Sequence, residues 1–111
     1  MYSWARNPQS ATNKVDKDGN PSGGHVKGNG LEIRWQNGPL GRPPMKPNGA
    51  FVEDVLEAAR QRLDFYQRES GGKFACRENA LAITHIEEAI LWLQQRRLER
   101  EQRGVQGTHQ P

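Results

Sequence analysis

Cysteine is almost missing from this 111-residue chain: Cys76 stands alone, so no internal disulfide can form, and a reducing compartment is the expected setting. His is also sparse, and His25, His85 and His109 are too scattered to suggest a zinc or catalytic metal set. No run approaches the roughly 20 apolar residues that a membrane-crossing helix needs, and no basic-then-apolar segment opens the chain. The expectation is a soluble cytoplasmic protein with no cofactor. Apolar residues make up only 33% of the chain against 12 Gly and 7 Pro, and residues 1–30 hold no aliphatic residue larger than Val15 and Val26. So little apolar surface does not offset the entropy of ordering, and 1–30 reads as a polar, mobile arm, with Tyr2 and Trp4 as its possible anchors. The remaining folded part, about 80 residues, is of a size at which one core is marginal and oligomerisation is a common remedy.

Charge is balanced rather than extreme. A net charge of +3 and a pI near 9.4 permit anionic ligands without demanding nucleic acid.

After the arm, Leu31, Ile33 and Trp35 alternate with Glu32, Arg34 and Gln36, the period-two pattern of a half-buried strand. Asn37-Gly38 then suits a tight hairpin turn, and Pro39–Pro47 supplies at best a weak return strand, since Pro39, Pro43 and Pro44 cannot donate to a ladder. A helix is predicted from about Ala50 to Arg68, with Asn48 as its cap and Val52, Val55, Leu56, Ala59, Leu63 and Tyr66 as its apolar stripe. Ser70-Gly71-Gly72 breaks it. A short link makes the next helix antiparallel, beginning between Cys76 and Asn79 and ending at Arg103, where Gly104-Val105 fits a left-handed C-terminal glycine followed by an apolar residue. The expected fold class is therefore α+β: a short β-hairpin followed by an antiparallel two-helix hairpin, over residues 31–105, with 106–111 as a short tail.

The second helix carries too much apolar surface for its own chain. At about 100° per residue, Ile83, Ile86, Ile90 and Leu93 share one stripe, Thr84, Leu91 and Leu98 a second, and Leu81 and Trp92 a third. Only one of these has a partner within the hairpin, so an oligomer is expected.

Catalysis is poorly supported. Glu87 and Glu88 are adjacent on a helix and diverge, His85 has no nucleophile at a readable spacing, and Gly28-Asn29-Gly30 lacks the strand-before, helix-after setting of a phosphate loop. Binding is better supported. Arg96, Arg100 and Arg103 line one stripe at spacings of four and three, continued backwards by Trp92 and His85; arginine forks take phosphate oxygens and aromatic faces take bases. By spacing alone, the ordinary reading is the favoured one: these arginines complement the helix dipole and pair with Glu99 and Glu101. At the other end, Phe74, Arg77 and Asn79 form a second small set of aromatic, fork donor and amide, with helix-start packing as the ordinary alternative.

The run Phe74-Ala75-Cys76-Arg77-Glu78-Asn79-Ala80-Leu81-Ala82-Ile83-Thr84-His85-Ile86-Glu87-Glu88-Ala89, then Trp92, then Arg103-Gly104-Val105-Gln106-Gly107-Thr108, resembles the helical-hairpin family of small phage proteins that sequester cyclic-nucleotide immune signals. Anti-Thoeris and anti-CBASS proteins share that hairpin. With Leu31–Gly38 ahead of the helices, the chain looks closer to the anti-Thoeris branch, and the resemblance covers about residues 31–108. It implies a non-enzymatic sponge in the bacterial host cell, a dimer or a trimer of dimers, that holds a cyclic ADP-ribose-type or other cyclic-nucleotide signal without cleaving it. It also implies roles: Phe74 stacking on a base, Asn79 bonding base or ribose, and Arg77, Arg96, Arg100 and Arg103 as the arginine set that takes the diphosphate. The arm of residues 1–30 lies outside the resemblance. The alternative is a small oligomeric phage protein, structural or nucleic-acid-associated, whose arginine stripe meets phosphates.

Overall fold

The computed structural model describes residues 4–40 and 46–104. Three strands come first, β1 (Gln9–Val15), β2 (Pro21–Gly28) and β3 (Leu31–Asn37), then two helices, α1 (Val52–Gly72) and α2 (Arg77–Gln102). The α+β class is as expected. The strands and the helices belong to two compact units that divide between Phe51 and Val52.

The sheet corrects the reading of residues 1–30 as an arm, because β1 and β2 are two of its three strands, in the order β1-β2-β3 and antiparallel throughout. Apolar content hid them: β1, Gln-Ser-Ala-Thr-Asn-Lys-Val, is exposed along its whole length. The partner of β3 also differs from the expected return strand. It lies upstream, since Gly28 faces Leu31 and the two-residue link Asn29-Gly30 makes the turn with Gly30 at φ 80°. Two Asn-Gly pairs bracket β3, and the hairpin uses the first. Tyr2, Pro43 and Pro44 lie outside the described residues, as does the tail from Val105 onward, while Trp4 is exposed.

Register gives the sheet two unlike faces. Ala11, Val26 and Ile33 stand in one cross-strand row, flanked by Asn13, Gly24 and Trp35; the opposite face carries the rows Thr12, His25, Arg34 and Ser10, Lys27, Glu32. Backbone pairing, with a few cross-strand contacts, holds this unit together. The β1–β2 turn is closed by the Asp16 carboxylate, whose Oδ1 accepts from the N–H groups of Asp18 (2.9 Å) and Asn20 (3.0 Å). Gly24 sits at φ 146°, where a side chain would run into the Thr12 carbonyl.

The segment 48–50 lies along the free edge of β3. Ala50 donates to the Arg34 carbonyl (2.7 Å) and accepts from the Gln36 N–H (3.0 Å), a parallel bridge opposite Trp35. Asn48 extends it: its Oδ1 accepts from the Asn37 N–H (2.7 Å), its Nδ2 donates to the Asn37 carbonyl (3.1 Å), and its own N–H donates to the Gln36 side chain (2.8 Å). Asn48 is thus spent on the sheet rather than capping α1, which starts four residues later. Gly49 permits the approach, because a Cβ there would stand 2.5 Å from the Trp35 carbonyl carbon and oxygen.

In the helical unit, helical backbone in α1 gives way after Arg68: Glu69 is extended (φ −66°, ψ 147°), and Ser70, Gly71 and Gly72 follow at φ 54°, 68° and 80°. Ser-Gly-Gly is where the sequence places the break. Across from α1, Ile83, Ile86, Ile90 and Leu93 of α2 are half-buried, while Leu81, Leu91, Trp92 and Leu98 are exposed. Most of the apolar stripe of α1 is on its covered face: Val55, Leu56, Leu63 and Tyr66 are half-buried, with Glu57, Arg60, Asp64 and Gln67 beside them, whereas Val52 and Ala59 are exposed. Arg60, its guanidinium paired with Glu57, lines the helix groove with Glu57, Glu87, Ile90, Leu91 and Gln94.

Two outcomes follow from these contacts. Gly49→Ala lowers the stability of the sheet unit by about 2 kcal/mol or more, read as a lower thermal midpoint in near-ultraviolet signals from Trp35, and Gly19→Ala, which meets nothing within 4 Å and bears only the backbone strain of its φ of 81°, costs less. Glu57 accepts both Nε and Nη2 of Arg60 at 2.7 Å and the Gln61 amide at 3.2 Å, bonds that bring its carboxyl from the ordinary 4.5 to about 2. A carboxyl depressed in the folded state stabilises it above pH 4.5 and loses that contribution as pH falls towards 2. The helical thermal midpoint therefore declines over that window, and Glu57→Gln flattens the decline.

Candidate ligand-binding site

The helical hairpin sorts the six candidate residues into two groups by where α2 begins and ends. Phe74 precedes α2 in the connecting loop and is 63% exposed, with Lys73 Nζ 5.5 Å from the centre of its ring. Arg77, exposed, is the first residue of α2, and Asn79, half-buried, lies in its first turn. Cys76 is the N-cap: it is extended (φ −153°, ψ 162°), and its Sγ accepts from the Asn79 N–H at 3.4 Å. The lone cysteine therefore has a structural task.

At the far end, Arg96 is exposed and Arg100 half-buried in the last turns of α2. Arg103 is the C-cap residue, followed by Gly104 at φ 72°. Its guanidinium pairs with Glu99 (Nε to Oε1 2.5 Å, Nη2 to Oε2 3.4 Å). That contact is the ordinary pairing that spacing alone allows, and it engages Arg103 with a carboxylate of its own helix. Trp92, 75% exposed, stands between the two groups, with His85 one to two turns back and 3.5 Å from Glu88.

α2 has helical backbone throughout, so Asn79 and Arg96 are separated by 17 residues, about 25 Å along the axis at 1.5 Å per residue. One chain places Phe74, Arg77 and Asn79 at one end of α2 and Arg96, Arg100 and Arg103 at the other; it does not bring the groups to each other.

Three features near the loop end were missed in the sequence. Arg62 lies over Phe65 (4.7 Å to the ring centre) and Tyr66 (5.0 Å) and donates from Nε to the Tyr66 hydroxyl (3.2 Å); the i,i+4 spacing of Arg62 and Tyr66 was the available signal. Lys73 over Phe74 is a neighbour contact with no periodic signature. Gln67 bonds Cys76 through both ends of its amide, from nine residues away across the helix break, where no sequence pattern points.

For chemistry other than binding, the described residues offer little: no group of three His, Cys, Asp or Glu is placed to hold a metal ion, and no helix among them is long and apolar enough to cross a membrane.

Thoeris anti-defense 1 of Bacillus phage SBSphiJ7 is 51% identical over 78 residues, which are 70% of this chain and 51% of that protein; the chain thus spans about half the length of the relative it matches. The model of the Acb2/Tad1 hairpin domain matches residues 27–97, from the end of β2 through most of α2. With two helices joined by a tight break and a strand ahead of them inside that span, the chain belongs to the Acb2/Tad1 hairpin-domain family.

Proposed function

We propose that this chain is a phage immune-evasion protein that binds and sequesters a cyclic ADP-ribose-type nucleotide without cleaving it, inside the host bacterium. The observation that carries the reading is the separation along α2. An aromatic ring, an arginine and an amide stand at one end, an arginine cluster at the other, and about 25 Å of helix keeps them apart. Two copies whose α2 helices run antiparallel join one copy's Phe74 and Asn79 to the other's Arg96 and Arg100. The ring then stacks on a base, the amide bonds base or ribose, and the guanidinium groups take the diphosphate in charge-assisted forks. Arg77 and Arg103 complete the set at its margins.

The exposed apolar side chains supply the reason to assemble. Leu91 is 62% exposed, Leu98 51% and Trp92 75% on a helix whose other stripe already meets α1, and burying such residues in a second copy contributes about 25 cal/mol for each Å² of apolar area covered. The similarity to a protein named for defeating Thoeris defence supports the biological setting. Sequestration needs only tight binding and slow release, so a site without a nucleophile and base pair suits it.

Mixed with excess protein, cyclic ADP-ribose or one of its ring isomers is removed from a filtrate, and heating the retained complex returns it intact. A cleaved product makes the protein a hydrolase; no depletion by any isomer overturns the reading, and duplex DNA binding that falls steeply with salt favours the nucleic-acid alternative. Replacing Arg96 and Arg100 together by Ala weakens capture by roughly 100-fold. Leu91→Glu with Leu98→Glu yields a monomer on sizing at micromolar concentration and loses capture with it.

A further inference from the structure

The segment that leads into α2 is poorly restrained by its own conformation. Three residues with positive φ, Ser70, Gly71 and Gly72, open it, and Lys73 to Cys76 are all exposed. A bond from the Ala75 N–H to the Gly72 carbonyl (3.0 Å) closes the turn locally. The N-cap adds less than usual, because the acceptor is the Cys76 sulfur at 3.4 Å, a weaker acceptor than the oxygens of Ser or Asp. Yet this is the segment that presents Phe74, Arg77 and Asn79.

Gln67, near the end of the helical part of α1, supplies the missing restraint. The Cys76 N–H donates to Gln67 Oε1 at 2.9 Å, and Gln67 Nε2 donates to the Cys76 carbonyl at 3.1 Å. The amide thus pairs with Cys76 as an adjacent strand does, holding both polar groups of one residue and so its orientation. A carboxylate accepts the first bond but sets a negative charge against the carbonyl; a thioether makes neither.

We propose that Gln67 is a positioning residue for the ligand site: by clamping the Cys76 backbone to α1 it sets where the Phe74 ring and the first turn of α2 stand, and so governs affinity for a nucleotide held between Phe74 and a second chain's arginines. This role rests on the sequestration reading. It adds to that reading a residue that touches no ligand, and a ligand site whose first group is loose by an ångström binds far more weakly.

The test uses the full chain with cyclic ADP-ribose and its ring isomers as probes, followed by calorimetry and by amide hydrogen exchange. Gln67→Met keeps length and helix propensity; it binds about tenfold more weakly with unchanged helix content and oligomer size, and the Cys76 and Asn79 amides exchange faster. Combined with Phe74→Ala it adds less than its own loss, because part of its effect passes through that ring. If Gln67→Met unfolds the hairpin, Gln67→Glu, which keeps one of the two bonds, carries the comparison and falls between wild type and Phe74→Ala. Wild-type affinity in a folded Gln67 variant, or losses that add fully to those of Phe74→Ala, overturns the positioning role and leaves sequestration standing. Failure of the wild-type chain to bind any isomer overturns both.

Discussion

An α-helix of 26 residues is a rod roughly 39 Å long, and α2, from Arg77 to Gln102, keeps helical backbone over that length. Whatever stands at its two ends is held apart by a rigid spacer of hydrogen-bonded backbone. The candidate ligand groups divide because of that spacer: Phe74 and Asn79 belong to the connection with α1, while Arg96, Arg100 and Arg103 belong to the far end. The same length gives room for more apolar residues than α1 covers. Ile83, Ile86, Ile90 and Leu93 face inward, and Leu81, Leu91, Trp92 and Leu98 are left exposed.

Each unit is held together by a different balance of forces. The sheet unit relies on backbone pairing and two close approaches at Gly24 and Gly49, with a small apolar row of Ala11, Val26 and Ile33 on one face. The helical unit relies on side-chain packing with a charged element at its edge: the Glu57–Arg60 fork, which lines the groove beside Ile90 and Leu91. Arg60 is therefore committed to a carboxylate within its own helix. The arginines of the C-terminal half of α2 differ among themselves in the same respect, since Arg103 is held by Glu99 whereas Arg96 stands exposed.

The helices were legible in the sequence because periodicity, a Ser-Gly-Gly break and a terminal glycine all report through apolar spacing and positive φ, which are local signals. Gly104 at φ 72° and the helix break at Ser70 are instances. Strands β1 and β2 were not legible. Their residues are mostly polar or glycine, with only Ala11, Val15 and Val26 as small aliphatic side chains, so composition reads as an arm, while pairing depends on partners that the local pattern does not identify, such as Gln9 with Gly28. The hairpin turn shows the same limit: Asn29-Gly30 and Asn37-Gly38 carry the same two residues, and only the register of β2 against β3 tells them apart. Asn48 looked like a helix cap because of its position before α1, yet its amide pairs with Asn37. The candidate site was legible as two separate groups; the long-range contact from Gln67 to Cys76 that supports the first group was not.

None of the described side chains is fully buried within the single chain. An isolated copy thus has no dry interior, only half-covered apolar side chains, and a smaller heat-capacity change per residue accompanies its unfolding than in a protein with a closed core. Assembly as proposed above would shift much of the thermal signature to the contact between copies: the melting temperature would depend on concentration, and a ligand bridging two copies would raise it by mass action.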